Sequence, residues 1–157
     1  MRILFIGSVK FSEIILKEIK KSKFIDLVGV CTKKKSPFNS DFCDLSKFAK
    51  KNKIPFFYTN DINSKKVSKW IIARNPEYIF CIGWSQLIDI KLINLYKDKI
   101  VGYHPSNLPM NRGRHPLIWS IFLGLKKSGS TFFLINKFAD KGKIISQKII
   151  SLKKKEN

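Results

Sequence analysis

The sequence predicts an α/β fold, a doubly wound, mostly parallel sheet covered by helices. Three observations predict it. Near-continuous apolar runs of strand length recur along the chain, as strands buried on both faces require. Stretches with apolar residues at helical spacing alternate with them. One apolar run, Lys99–Tyr103, also leads into polar residues, prolines and a glycine, and ligands of open α/β sheets bind beyond the carboxyl ends of strands. At 157 residues the chain is expected to form one domain, 1–157, with 44% apolar residues to build its core.

Met1–Ile6 reads as the first buried strand and Gly7-Ser8 as its turn. From Phe11 to about Lys21, Phe11, Ile14, Ile15 and Ile19 fall on one helical face. Ile25–Cys31 is the second strand, followed by the polar, basic loop Thr32–Ser40. That loop reads either as a solvated connection or as a lip for a phosphate-bearing ligand. A helix is expected over Asp41–Lys51, with Phe42, Leu45, Phe48 and Ala49 inward, and Ile54–Tyr58 is the third strand. Val67, Trp70, Ile71 and the stem of Arg74 mark a helix stopped by Asn75-Pro76. Tyr78–Ile82 is the fourth strand, with the loop Gly83–Ile88 after it, and a short helix near Lys91–Tyr96 leads to Lys99–Tyr103. Pro116 suits the first turn of a helix whose buried stripe is expected to be Leu117, Ile118, Ile121, Phe122 and Leu125. Ser130–Ile135 and Ile144–Leu152 are the last strands, and the chain closes on Lys153-Lys154-Lys155-Glu156-Asn157, an ending that reads as a minimal or truncated form.

Composition narrows the function classes. No apolar run approaches membrane-span length, and the apolar start is too short for a signal peptide, so a cytoplasmic protein is expected. Cys31, Cys43 and Cys81 have no metal-ligand spacing and read as reduced packing residues; no metal is expected. The net charge of +20 favours anionic ligands. It is mostly lysine spread along the chain rather than an arginine stripe interleaved with aromatics, so nucleic acid stays open without being favoured.

Chemistry concentrates in Gly102-Tyr103-His104-Pro105-Ser106-Asn107-Leu108-Pro109-Met110-Asn111-Arg112-Gly113-Arg114-His115-Pro116, which holds both histidines of the protein. An imidazole at the end of a strand is suited to proton transfer near neutral pH. His115, just before Pro116, reads as a capping or surface group. This segment resembles the signature of the folate-dependent formyltransferases, the superfamily acting on methionyl-tRNA, glycinamide ribonucleotide and amino sugars. Their pattern, Asn-x-His-(Pro/Gly)-Ser-x-Leu-Pro-x-x-Arg-Gly, is met from His104 to Gly113, and its companion Asp-x-Gly falls on Asp140-Lys141-Gly142, 36 residues after His104. The motif's Asn falls on Gly102, which has no side-chain donor.

The resemblance implies formyl transfer from 10-formyltetrahydrofolate to a primary amine, with His104 as general acid/base and Asp140 as its electrostatic partner. It also implies a folate pocket drawing on Trp84, Ser85, Gln86, Leu87, Ala139 and Asp140, with Ser106 near the pocket. Trp84 reads equally as core. Arg112 and Arg114 either hold the loop or meet an anionic acceptor. Arg112-Gly113-Arg114-x-Pro116 is closer to the amino-sugar enzymes, so a nucleotide-linked amino sugar is the first acceptor expected, and methionyl-tRNA the alternative. A catalytically impaired folate- or RNA-binding domain is the other class, because of Gly102. A homo-oligomer is left open.

Overall fold

The computed structural model describes residues 1–37 and 39–152; Phe38, within the basic loop, and the Lys153–Asn157 tail lie outside them. The chain divides into two compact units, 1–100 and 101–157.

In the first unit, strands β1 (Arg2–Ile6), β2 (Asp26–Thr32), β3 (Phe56–Tyr58) and β4 (Tyr78–Cys81) alternate with helices α1 (Lys10–Lys21), α2 (Ser46–Lys51) and α3 (Lys65–Arg74), and α4 (Ile90–Leu95) follows. The strands lie in the order β3-β2-β1-β4, and every pairing among them is parallel. Central β1 explains its own composition: Ile3, Leu4, Phe5 and Ile6 are completely buried, because helices cover both faces of a parallel sheet. Ser64 caps α3 by accepting from the Val67 N–H, and Asn75 ends it in the left-handed conformation.

Two helices differ from expectation. In α1 the inward residues are Ser12 and Leu16, while Ile14 is exposed. Phe11, Ile15 and Ile19 are half-buried as that face requires, and the Ser12 hydroxyl, donating to the Ile82 carbonyl at 2.6 Å, anchors the helix beside them and leaves only Ile14 outside. The second helix begins at Ser46 rather than Asp41, because Phe42 is drawn into a bridge with Val9 and the Asp44 carboxylate accepts the Ser46 N–H at 2.9 Å.

In the second unit, β5 (Ile100–His104), α5 (Pro116–Phe122), β6 (Lys127–Leu134) and β7 (Ile144–Ser151) form an antiparallel meander with β6 between β5 and β7. The short connection 135–143 allows this, since parallel neighbours need a crossover of about a dozen residues or more. Helix α5 corrects the expected buried stripe: Leu117, Ile118, Ile121 and Phe122 are exposed, and the buried residue is Ser120. Apolar residues surround this helix almost completely, so periodicity cannot choose a face. The small Ser120, donating to the Pro116 carbonyl and lying 3.5 Å from the Ser128 hydroxyl, is the side that permits close packing. Among the described residues no helix is long and apolar enough to cross a membrane.

Candidate active site

His104 is the last residue of β5, one residue beyond the predicted end of the strand, and is buried. Its neighbours converge through two turns. The polypeptide leaves β5 through Pro105, and the Ser106 N–H donates to the His104 carbonyl at 2.9 Å. The loop then folds back so that the Asn111 carbonyl stands 2.9 Å from His104 Nε2. A carbonyl only accepts, so this nitrogen carries a proton and donates it.

The second turn, between β6 and β7, brings Asp140. Its Oδ1 lies 3.6 Å from His104 Nδ1, an ion-pair separation rather than a hydrogen bond. Its Oδ2 accepts the Gly113 N–H at 3.0 Å, and its backbone carbonyl accepts Arg112 Nε at 3.0 Å. The carboxylate is thereby pinned to the same loop that carries the Asn111 carbonyl. Asp140 takes a left-handed φ of 54°, a conformation Asp tolerates better than most residues. Gly142 is required by space: a Cβ there would run into the Leu134 carbonyl. The Asp-x-Gly spacing thus has a mechanical reason, an aspartate on a tight turn closed by a residue without a side chain.

Both ring nitrogens of His104 face acceptors, one neutral and one anionic. This arrangement can store a proton beside a carboxylate and release it when one of the two partners gives way.

Gly102 lies two residues before His104, on the same face of β5. A Cβ built there would stand 2.8 Å from Ile135 Cγ1 and 3.0 Å from Phe133 Cζ. The volume beside Gly102 is therefore filled by apolar side chains.

The remaining predicted residues fall as follows. Ser106 is fully buried and its hydroxyl donates to the Met110 carbonyl at 2.8 Å, so it braces the loop from within. Arg112 is tied to the Asp140 backbone, which realises the loop-holding alternative for its Nε, and Arg114 is exposed. His115 is the exposed N-cap of α5, without a side-chain capping bond. Ala139 is exposed beside Asp140.

In the first unit, Trp84 is half-buried with Lys33 Nζ 4.9 Å from its ring centroid, and its Nε1 has no hydrogen-bond partner among the described residues. Ser85 and Leu87 are exposed. Both ends of the Gln86 amide are engaged, accepting from the Ile62 N–H at 2.8 Å and donating to Asp61 Oδ1 at 2.7 Å. Among the described residues no group of three or more His, Cys, Asp or Glu side chains gathers as a metal site.

Sequence reasoning missed Asn111 and Gly113. Both act through the backbone, which side-chain identity does not encode; the signal for Gly113 was its place as the last residue of the matched signature, and Asn111 falls on one of its unspecified positions.

The family model described as formyl transferase matches residues 1–157. The chain belongs to that family. Among its formyltransferase relatives, the methionyl-tRNA formyltransferase of Thermotoga maritima is 29% identical over 156 residues, covering 97% of this chain and 50% of the relative. The bifunctional polymyxin resistance protein ArnA of Wigglesworthia glossinidia brevipalpis is 31% identical over 73% of this chain and 18% of its own. The crystal structure of phosphoribosylglycinamide formyltransferase from Bacillus halodurans superposes with a TM-score of 0.84 at 20% identity, over 100% of this chain and 83% of that one, which shows the shared fold. The chain spans about half the length of the methionyl-tRNA formyltransferases it matches.

Proposed function

We propose that this chain carries the catalytic centre of a folate-dependent formyltransferase, with residues 1–157 as its catalytic domain. The observation that carries the reading is the 3.6 Å approach of Asp140 to the His104 ring, joining two motif elements far apart in sequence. Membership of the formyl transferase family supports it independently.

The chemistry requires little else. A neutral amine attacks the formyl carbon of 10-formyltetrahydrofolate, giving a tetrahedral intermediate with negative charge on the former carbonyl oxygen. The attacking nitrogen loses a proton, the bond from carbon to N10 breaks, and N10 takes up a proton. The products are a formamide and tetrahydrofolate. His104, with Asp140 beside its Nδ1, serves as the proton carrier for this exchange. Asp140 fixes the ring and balances its charge, as the carboxylate does in hydrolase triads. Folate contact is proposed for Trp84, Ser85, Gln86 and Leu87 in the first unit and, separately, for Ala139 and Asp140 in the second. The engaged Gln86 amide gives it a loop-stabilising part there rather than that of a free donor.

The first acceptor is a nucleotide-linked amino sugar, supported by Arg112-Gly113-Arg114-x-Pro116. Methionyl-tRNA is the second reading, favoured by a match that runs along 97% of this chain. The test incubates purified protein with 10-formyltetrahydrofolate and, in parallel, a nucleotide-linked amino sugar, methionyl-tRNA and glycinamide ribonucleotide, following tetrahydrofolate release. His104→Ala is expected to lower the rate by about 10²- to 10⁴-fold. Asp140→Asn keeps an oxygen for the Gly113 N–H and isolates the loss of charge; it should fall in the same direction. Undiminished turnover in His104→Ala would remove the histidine from this role.

A further inference from the structure

Strand β7 has all eight of its residues exposed, yet one of them reaches inward. The Gln147 amide nitrogen donates both of its protons to the chain, one to the Leu108 carbonyl at 2.8 Å and one to Thr131 Oγ1 at 2.9 Å. Thr131 is fully buried. Its hydroxyl oxygen accepts from Gln147, which leaves its single proton to donate to the Ser106 carbonyl at 2.7 Å. The register places these residues in one row across the meander, His104 opposite Thr131 and Thr131 opposite Gln147. Residues so paired share a face of the sheet.

The row grips the loop that orients the histidine. Thr131 holds the carbonyl of Ser106 and Gln147 the carbonyl of Leu108, while the Ser106 hydroxyl holds the carbonyl of Met110. The next carbonyl along the chain, that of Asn111, meets His104 Nε2 at 2.9 Å. Strand β6 comes close enough to do this only because residue 129 is glycine: a Cβ there would lie 2.5 Å from the Asn107 nitrogen and 2.6 Å from its Cα. A buried hydroxyl whose one proton goes to the Ser106 carbonyl, while its oxygen accepts from Gln147, ties the loop to the sheet at that point.

We propose that Thr131 and Gln147 are positioning residues for His104, setting its ring orientation through the carbonyls of residues 106 to 111. The rate readout rests on the formyl-transfer reading; the readout at the ring does not. Outer partners of a functional group typically contribute about 10- to 100-fold to activity, and a shift of about 1 Å at a reacting group can cost about 10²-fold.

The experiment compares Thr131→Val, Thr131→Ser and Gln147→Leu by thermal unfolding, by kcat and KM for 10-formyltetrahydrofolate, and by nitrogen-15 NMR of the imidazole rings. With only two histidines in the chain, His104→Ala assigns the signals. Thr131→Val is expected to shift the His104 ring resonances while leaving those of His115 in place. It should lower kcat by about 10- to 100-fold with KM little changed. Thr131→Ser should restore both. Gln147→Leu, on an exposed strand, should shift the same signal in a protein that stays folded, even where Thr131→Val does not fold. In a His104→Ala background neither substitution should reduce the rate further.

The proposal is overturned if Gln147→Leu and the folded Thr131 variants leave the His104 resonances unmoved, or if Thr131→Val slows the His104→Ala protein as much as the unaltered one. A preparation that transfers no formyl group to any acceptor, but whose His104 signal moves in these variants, would sink the formyl-transfer reading and uphold the positioning.

Discussion

Residue 102 is a glycine packed against apolar side chains where the formyltransferase signature has an asparagine. On the proposed formyl-transfer reading, an asparagine here would offer a donor to the oxygen that becomes charged in the tetrahedral intermediate, and losing one such donor typically costs about 10²- to 10³-fold in rate. Restoring it by one substitution is prevented by the neighbours, since the first carbon of the new side chain would press on Ile135 Cγ1 at 2.8 Å and Phe133 Cζ at 3.0 Å. Overpacking of this kind costs about 1–3 kcal/mol. Gly102→Asn alone is therefore expected to lower the urea midpoint by a corresponding amount without raising kcat. Gly102→Asn with Ile135→Ala should recover part of that stability and raise the rate above the starting protein. A single substitution as stable as the parent would show that the apolar neighbours yield freely. The departure at residue 102 was legible as a missing donor, because the motif spacing fixes which residue stands two before the histidine. That Ile135 fills the space was not legible, because it depends on the antiparallel pairing of β5 with β6.

Among the elements, α5 separates what periodicity can and cannot tell. Pro116 marked its start correctly, because proline's fixed φ and missing N–H suit a first turn. The face was misjudged because Leu117, Ile118, Trp119, Ile121, Phe122 and Leu123 leave no polar side to oppose the core. With Ile121 75% and Phe122 77% exposed, replacing either by Lys should move the unfolding free energy by no more than about 0.5 kcal/mol, the range of ordinary surface changes. Urea titration checks this; a loss of several kcal/mol from Ile121→Lys would restore the buried stripe. By contrast the parallel strands β1, β2 and β4 were legible almost to the residue, since burial on both faces writes itself as an unbroken apolar run. The row from His104 through Thr131 to Gln147 left no comparable trace. One glutamine on an edge strand has no period, and its partner at Leu108 is set by a register formed 39 residues away.

For the molecule as a whole, the fold class followed from apolar runs alternating with helical stripes, and the family from the signature at His104 with Asp140-Lys141-Gly142 36 residues on. The net charge of +20 told less, since lysines on solvated positions serve many anionic partners equally. A better-defined electrostatic consequence lies in the core. Burial pushes the Cys81 thiol from its usual 9.0 up to about 12, and burial, with Cys81 nearby as a secondary cause, does the same to Cys31. In the unfolded chain both thiols ionise from about pH 9, whereas in the folded chain they keep their protons. The folded state then binds more protons than the unfolded one, and stability must fall as pH rises. The sign is unambiguous: the contribution is intact below pH 9 and drains away between pH 9 and 12. Lysine neutralisation over the same range relieves repulsion and works the other way, so the thiols are isolated only by difference. Urea midpoints of the parent and of Cys31→Ala with Cys81→Ala, taken from pH 7 to 10.5, should converge as alkalinity increases, the parent losing its advantage. Parallel curves would mean that these thiols ionise in the folded state as readily as in water, which two sulfurs closed inside a parallel sheet have no solvent to support.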